Sequence, residues 1–177
     1  PVEEHTTLVR DYLAAVAKTQ RPQRDNARVV INGSFCEQPP LNLIKSIELA
    51  GCYIVDDDYM IVHRWLRNPV STVGDPMQNL SLAFLHDSIA TAAKYDDKEE
   101  DKGKYLLEQV RSNAAEGVIF AAPSFCDPAL LERPMLADRC SEHNVPYISF
   151  KYAENSGQMQ PIREQAGTFA DSIKLWS

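Results

Sequence analysis

Val29-Val30-Ile31-Asn32-Gly33-Ser34-Phe35-Cys36-Glu37-Gln38-Pro39-Pro40 and, far downstream, Gly117-Val118-Ile119-Phe120-Ala121-Ala122-Pro123-Ser124-Phe125-Cys126-Asp127-Pro128 share one plan. Each is an apolar run of strand length, then a Ser-Phe-Cys string, then a proline suited to the first turn of a helix, where a missing N–H costs little. Apolar runs without alternation mark strands buried on both faces, the habit of parallel sheets covered by helices. The order strand, loop, helix puts each string at the carboxyl end of a parallel strand, the edge where open α/β sheets bind ligands. Both thiols are therefore predicted at one rim of one sheet.

The rest of the chain extends the alternation. Leu43, Ile44, Ile47 and Ala50 form a helical stripe that Gly51 stops. Cys52-Tyr53-Ile54-Val55 reads as the second strand, running into Asp56-Asp57-Asp58. A long connection carries His63-Arg64-Trp65-Leu66-Arg67, with Pro69, Gly74 and Pro76 as loop signals. Leu82, Leu85, Ile89 and Ala92 mark a helix, the mixed charges from Asp96 to Lys102 a surface loop, and Leu106, Val110 and Ala114 a helix leading into the strand at Gly117. Pro128 and Pro134 should divide the next stretch into a short turn and a helix ending near Asn144. Tyr147-Ile148-Ser149-Phe150 is the fourth strand, and Ile162, Ala166, Phe169, Ile173 and Trp176 trace the most regular amphipathic helix. At the other end, Val9, Leu13 and Val16 share a helix face ahead of a polar linker at Arg21 to Asn26. The order βαβ(α)αβαβα predicts an α/β fold, a three-layer sandwich with a mainly parallel sheet of about four strands flanked by helices. Two segments are expected: an amino-terminal helix and linker, 1–26, and an α/β domain, 27–177.

Composition narrows the function. At 177 residues the chain can bury a core without staples. With 18 Lys and Arg against 25 Asp and Glu, its charge of −7 does not attract a polyphosphate backbone, so no nucleic-acid partner is expected. No apolar run approaches the ~20 residues of a membrane span, and no signal-peptide pattern opens the chain, so no membrane partner is expected. Four cysteines at 36, 52, 126 and 140, without a CxxC pair, form neither a zinc ribbon nor a secreted disulfide framework. A reducing, cytoplasmic setting is the expectation. No GxGxxG follows a strand and no P-loop is present, so the chain should not hydrolyse ATP itself. It starts at Pro1 rather than Met, which reads as a processed chain or a piece of a longer polypeptide.

Cys126 and Cys36 each admit two readings, a buried structural thiol or a strand-end thiolate beside a helix amino terminus, suited to metal ligation. Cys52, at the opposite rim, and Cys140, inside a helix, read as core. A cysteine nucleophile would need an oriented histidine, and nothing places His63 or His86 near Cys126. Asp56, Asp57 and Asp58 could bind a cation, although acids at a strand end more often cap loops and helices. Arg64 and Trp65 read either as ordinary surface loop or as contacts to a phosphorylated acyl substrate or a partner subunit. Glu154, Asn155 and Gln158 come after the fourth strand, where they could bond a ligand or cap a helix.

Taken in order, the strings 33–40, 51–58, 117–128 and 150–158 resemble the carboxyl-terminal half of catalytic subunits in the family of ATP-dependent benzoyl-CoA reductases and 2-hydroxyacyl-CoA dehydratases. The likeness runs from about Arg28 to Trp176. It implies a longer subunit carrying a [4Fe-4S] cluster on cysteine thiolates, some of them upstream of this chain. Cys126 falls on the family's carboxyl-terminal ligand position. Cys36 stands where the dehydratases generally have no cysteine, and it is either a reductase-specific ligand or a thiol near the cluster. This chain alone should hold no cluster, or nearly none, since cubanes normally take several Cys ligands. The implied partners are a second homologous catalytic subunit, an ATP-hydrolysing iron-sulfur activator and an aromatic acyl-CoA, with ATP bound only at the activator. The implied activity is low-potential electron delivery that turns benzoyl-CoA into a cyclic dienoyl-CoA. Dehydration of a 2-hydroxyacyl-CoA, and a non-catalytic assembly or ligand-binding module, remain as alternatives.

Overall fold

A computed structural model describes residues 1–33, 39–59, 68–88, 103–153 and 159–176. Its strands β1 (Ala27–Asn32), β2 (Cys52–Asp57), β3 (Gly117–Pro123) and β4 (Tyr147–Tyr152) coincide with the four apolar runs. They pair in parallel only, in the order β2-β1-β3-β4. The chain winds outward from β1 to β2, then returns past β1 to lay β3 on its other side. That reversal puts the topological switch point between β1 and β3, the two strands that end in Ser-Phe-Cys.

Side-chain parity sorts the core into two layers. Val29 and Ile31 of β1 and Ile119 and Ala121 of β3 face Leu43 and Ile47 of α2 (Leu41–Leu49) and Ile162, Ala166, Phe169 and Ile173 of α6 (Met159–Trp176). Val30, Val118 and Phe120 face the other way, onto Tyr105, Leu106 and Val110 of α4 (Lys104–Ser112) and Leu136 and Cys140 of α5 (Asp127–Glu142). Burying each large apolar side chain contributes roughly 1.5–3 kcal/mol, so the central strands carry the fold. The α/β sandwich is as the pattern predicts. Cys52 and Cys140 are fully buried in these layers, and burial pushes both thiols up to about 11.

Three local expectations fail. Pro39 and Pro40 do not enter the first turn of α2: Pro39, ahead of a proline, is disfavoured in helical geometry, and Pro40 stands at the N-cap with ψ 144, so the helix starts only at Leu41. Pro134 does not divide α5, which runs unbroken from Asp127 to Glu142. Ala129, Glu132, Leu136 and Cys140 are buried on both sides of the proline, and docking that one stripe outweighs its cost of about 3 kcal/mol. The helix expected through Leu82 and Leu85 is a short α3 (Pro76–Leu82) running into a π-helical turn at 83–87. Leu82 and Leu85 stay exposed and only Ala83 is buried, so no partner layer among the described residues holds a regular stripe there; Ile89 and Ala92 lie outside the described residues. Helix α1 (Val2–Lys18) forms as predicted, yet it buries no residue.

The amino ends of the strands are locked by charge. Arg28 N–H donates to Glu116 Oε2 at 2.8 Å, its guanidinium donates to the carbonyls of Asn113 and Ala114, and Glu116 N–H returns a bond to the Arg28 carbonyl. Lys174 Nζ on α6 reaches Glu116 Oε1 at 2.8 Å and Asp25 at 3.0 Å. Burial alone would raise the Glu116 carboxyl, but the hydrogen bonds from Lys174 and Arg28 and the Lys174 charge outweigh it and hold it below its ordinary value.

A depressed carboxyl contributes stability above its unfolded pKa and loses it as pH falls through the folded one. Glu116→Gln should therefore cost ~1–2 kcal/mol near pH 7. The difference from wild type should vanish as pH falls below the ordinary carboxylate range, as read from urea midpoints across that range.

Candidate functional site

At the carboxyl rim, side-chain bonds tie the β1 exit to the β2 exit and the β3 exit to the β4 exit. The β1 exit is Gly33, with φ +115. A Cβ there would lie 3.0 Å from the Ala121 carbonyl oxygen, so only glycine lets this turn press against β3. At β2 the register slips, with Val29 opposite Ile54 but Val30 opposite Asp56. This bulge aims the three aspartates in different directions.

Asp56 accepts from Asn113 Nδ2 at 2.8 Å, and Asp57 Oδ1 accepts from Tyr59 N–H at 2.9 Å. Asp58 turns inward and has no exposed surface. Its Oδ2 accepts from Asn32 Nδ2 at 2.8 Å and its Oδ1 from Gly33 N–H at 3.0 Å. Asn32 Nδ2 also donates to the Tyr105 hydroxyl at 2.8 Å. Asp56 and Asp57 thus serve as caps and ties, and Asp58 as the centre of a buried polar cluster. The cation reading of the triplet does not stand, since no group of three or more His, Cys, Asp or Glu among the described residues is arranged to hold a metal ion.

The β3 exit is clamped to β4. Ser124 donates twice to the Tyr152 carbonyl, from N–H at 2.8 Å and from Oγ at 2.9 Å. Cys126 N–H then donates to the Pro123 carbonyl, and the Cys126 carbonyl accepts from Leu130 N–H as α5 begins. The Cys126 side chain is 2% exposed, packed with Ala122, Ala129 and Leu130, while Phe125 beside it is 95% exposed. Tyr59 lies against the opposite layer with Tyr152. Burial, reinforced by Asp57 and Asp58, pushes its phenol well above the ordinary tyrosine range.

Of the residues singled out from sequence, the structure places Cys126 at the rim, next to the switch point. Cys36, Arg64, Trp65 and Asn155 lie outside the described residues, as does His63; Gly33 and Pro39 flank the first Ser-Phe-Cys string. His86 is in the π-helical turn, on a connection rather than a strand end. Sequence reasoning missed the Asn32, Asp58 and Tyr105 cluster. Its one visible signal was an asparagine closing an otherwise apolar, doubly buried strand, a position that demands a polar partner.

Against a four-iron cluster the described donors are incomplete. Cys126 is the sole described thiol at this rim, with Cys52 at a strand start and Cys140 deep in α5. On its own it could supply one ligand, with the rest of the set coming from other residues.

The profile of the family described as "2-hydroxyglutaryl-CoA dehydratase, D-component" matches residues 1–173, and the chain belongs to that family. It is similar to a benzoyl-CoA reductase subunit of Thauera aromatica, 87% identical over 177 residues, which are all of this chain and 46% of that protein. It is also similar to the (R)-phenyllactyl-CoA dehydratase beta subunit of Clostridium sporogenes, at 23% identity over 97% of this chain and 44% of that protein. The beta subunit of lactoyl-CoA dehydratase from Anaerotignum propionicum matches at 24% over 97% of this chain and 45% of its own. The chain spans about half the length of the curated relatives it matches. The family resemblance drawn from the four strings holds, and the match extends ahead of Arg28 to include α1.

Gly33→Ala should cost at least ~1–3 kcal/mol, from the positive φ and the contact with Ala121. Thermal melts would check it. A variant as stable as wild type would mean that β1 leaves the sheet by another path.

Proposed function

We propose that this member of the 2-hydroxyglutaryl-CoA dehydratase D-component family is part of an iron-sulfur catalytic subunit that reduces an aromatic acyl-CoA, benzoyl-CoA to a cyclic dienoyl-CoA. The observation that carries this reading is 87% identity along the whole chain to a benzoyl-CoA reductase subunit, against 23% and 24% to two dehydratase beta subunits. Dehydration of a 2-hydroxyacyl-CoA is the second reading, favoured by the family description itself.

A [4Fe-4S] cluster, when bound, supplies low-potential electrons, and the overall conversion consumes two electrons and two protons per acyl-CoA. The chain's own residues supply position and shelter. Cys126, as thiolate, gives one iron ligand from the β3 exit. The turn around it is held by the Ser124 bonds to β4 and by the α5 backbone. Its burial against Ala122 and Ala129 keeps water from the sulfur on that side, a lever on cluster potential. Cys36, from the neighbouring strand exit, is assigned as a second ligand or a thiol close to the iron. Arg64, Trp65 and Asn155 are assigned to substrate or subunit contact. The remaining ligands come from outside this chain. The partners in this reading are a second homologous catalytic subunit and an ATP-hydrolysing activator, and the setting is the cytoplasm; no helix among the described residues is long and apolar enough to cross a membrane.

The test is iron content and reduced-state EPR of the full-length subunit with its partner, prepared anaerobically, as wild type and as Cys126→Ala. Loss of one cluster's signal is expected. An unchanged signal and iron count would make Cys126 a structural thiol and bring forward the non-catalytic module. Parallel turnover of benzoyl-CoA and of a 2-hydroxyacyl-CoA separates reductase from dehydratase.

A further inference from the structure

The Asn32, Asp58 and Tyr105 cluster lies close to Cys126 for a reason that strand parity makes explicit. Asn32 is opposite Phe120 in the β1–β3 register, and both face the α4 and α5 layer. Two residues further toward the rim, on that same face of β3, is Ala122, and Cys126 packs directly on Ala122. Asn32 therefore lies one same-face step from Ala122, diagonally across the β1–β3 pair. A second route runs through the backbone. Asp58 Oδ1 accepts from Gly33 N–H, and Gly33 runs so near β3 that a Cβ there would lie 3.0 Å from the carbonyl oxygen of Ala121, the residue before Ala122. Asp58 acts on both routes at once, one through each carboxylate oxygen.

We infer that Asp58 is a positioning residue for Cys126: its buried carboxylate, through Asn32 and Gly33, sets the path of the β3 exit and holds the thiol in its pocket. This is distinct from general support of the fold, because the effect should be confined to the carboxyl rim. The chain carries its own controls. Cys52 begins β2 at the opposite rim and Cys140 sits in the carboxyl-terminal half of α5, away from every strand exit, and both are buried thiols like Cys126. Its bearing on catalysis rests on Cys126 being an iron ligand; the placement itself does not.

Asp58→Asn sets an amide N–H₂ against the Asn32 N–H₂, two donors facing each other, while its remaining oxygen can still accept from Gly33. The exchanged pair Asn32→Asp with Asp58→Asn restores the match with reversed polarity. The new carboxylate at 32 can accept from the amide at 58 and from the Tyr105 hydroxyl. The experiment is peptide-resolved alkylation of the full-length polypeptide purified with an iron chelator, so that labelling does not depend on bound metal. In Asp58→Asn, Cys126 should label about tenfold faster, the loss expected when ~1.4 kcal/mol of local closure is removed. Cys52 and Cys140 should stay within about twofold of wild type, and the exchanged pair should return Cys126 close to its original rate. An unchanged Cys126 rate, or a proportional rise at all three thiols, would overturn the inference. Should Asp58→Asn not fold, Tyr105→Phe, which removes the hydroxyl that accepts from Asn32, is judged by the same contrast. Because the readout is thiol closure in metal-free protein, it can succeed while the iron reading fails, and the reverse.

Discussion

A carboxylate with no exposed surface has to be met by donors, and the way Asp58 is met organises the working end of this sheet. Desolvating such an ion costs several kcal/mol, and hydrogen bonds to a charge return roughly 1.5–3 kcal/mol apiece. The Asn32 amide and the Gly33 N–H that meet the acid are held in place by β1, and the Tyr105 hydroxyl on α4 accepts from the same Asn32 amide, so strand, turn and helix all bear on this cluster. The β2 bulge is part of the same solution. Without the slip between Val29 and Val30, the side-chain parity of the aspartates would change, and Asp58 would point away from Asn32.

The two ends of the sheet are built from different chemistry. At the amino end, Arg28, Glu116, Lys174 and Asp25 make a partly exposed ionic clasp between β1, the approach to β3, and α6. Such a clasp tolerates small shifts, since long side chains and water share the work. At the carboxyl end the ties are short and mostly backbone: Gly33 to Asp58, Ser124 to Tyr152, Cys126 to Pro123. Their donors and acceptors have few rotatable bonds, so displacement of one strand exit is passed to the next.

Much of this is legible in the chain. Uninterrupted apolar runs announce parallel strands, and the i, i+4, i+7, i+11 spacing of Ile162, Ala166, Phe169 and Ile173 announces the helix that buries them. The failures are of one kind. Pro134 looks locally like a breaker, but Leu136 and Cys140 beyond it belong to the same buried stripe as Ala129 and Glu132, and tertiary docking overrides the local penalty. Leu82 and Leu85 have the spacing of a stripe, but no layer among the described residues lies opposite them. The polar cluster leaves no more than the Asn32 signal in sequence, for a related reason. Asn32, Asp58 and Tyr105 sit on three separate stretches of chain, and only the strand order and the bulge bring them together.

The described cysteines make the same point about what identifies a site. Cys52, Cys126 and Cys140 are all essentially inaccessible, at 0%, 2% and 0%, so burial cannot tell them apart. Topology can. Cys52 opens β2 at the closed, ionic end, and Cys140 is wrapped by the α4 and α5 layer. For both, the cost of desolvating a thiolate keeps the sulfur protonated at neutral pH, which leaves it a poor ligand and a weak nucleophile. Among the described residues, Cys126 belongs to a small cluster with Ala122 and Ala129, against which Leu130 packs. It is also at the head of a helix, beside the one place in the sheet where strand order reverses and neighbouring loops diverge. What sets Cys126 apart from the other two described thiols is therefore its place at the switch point.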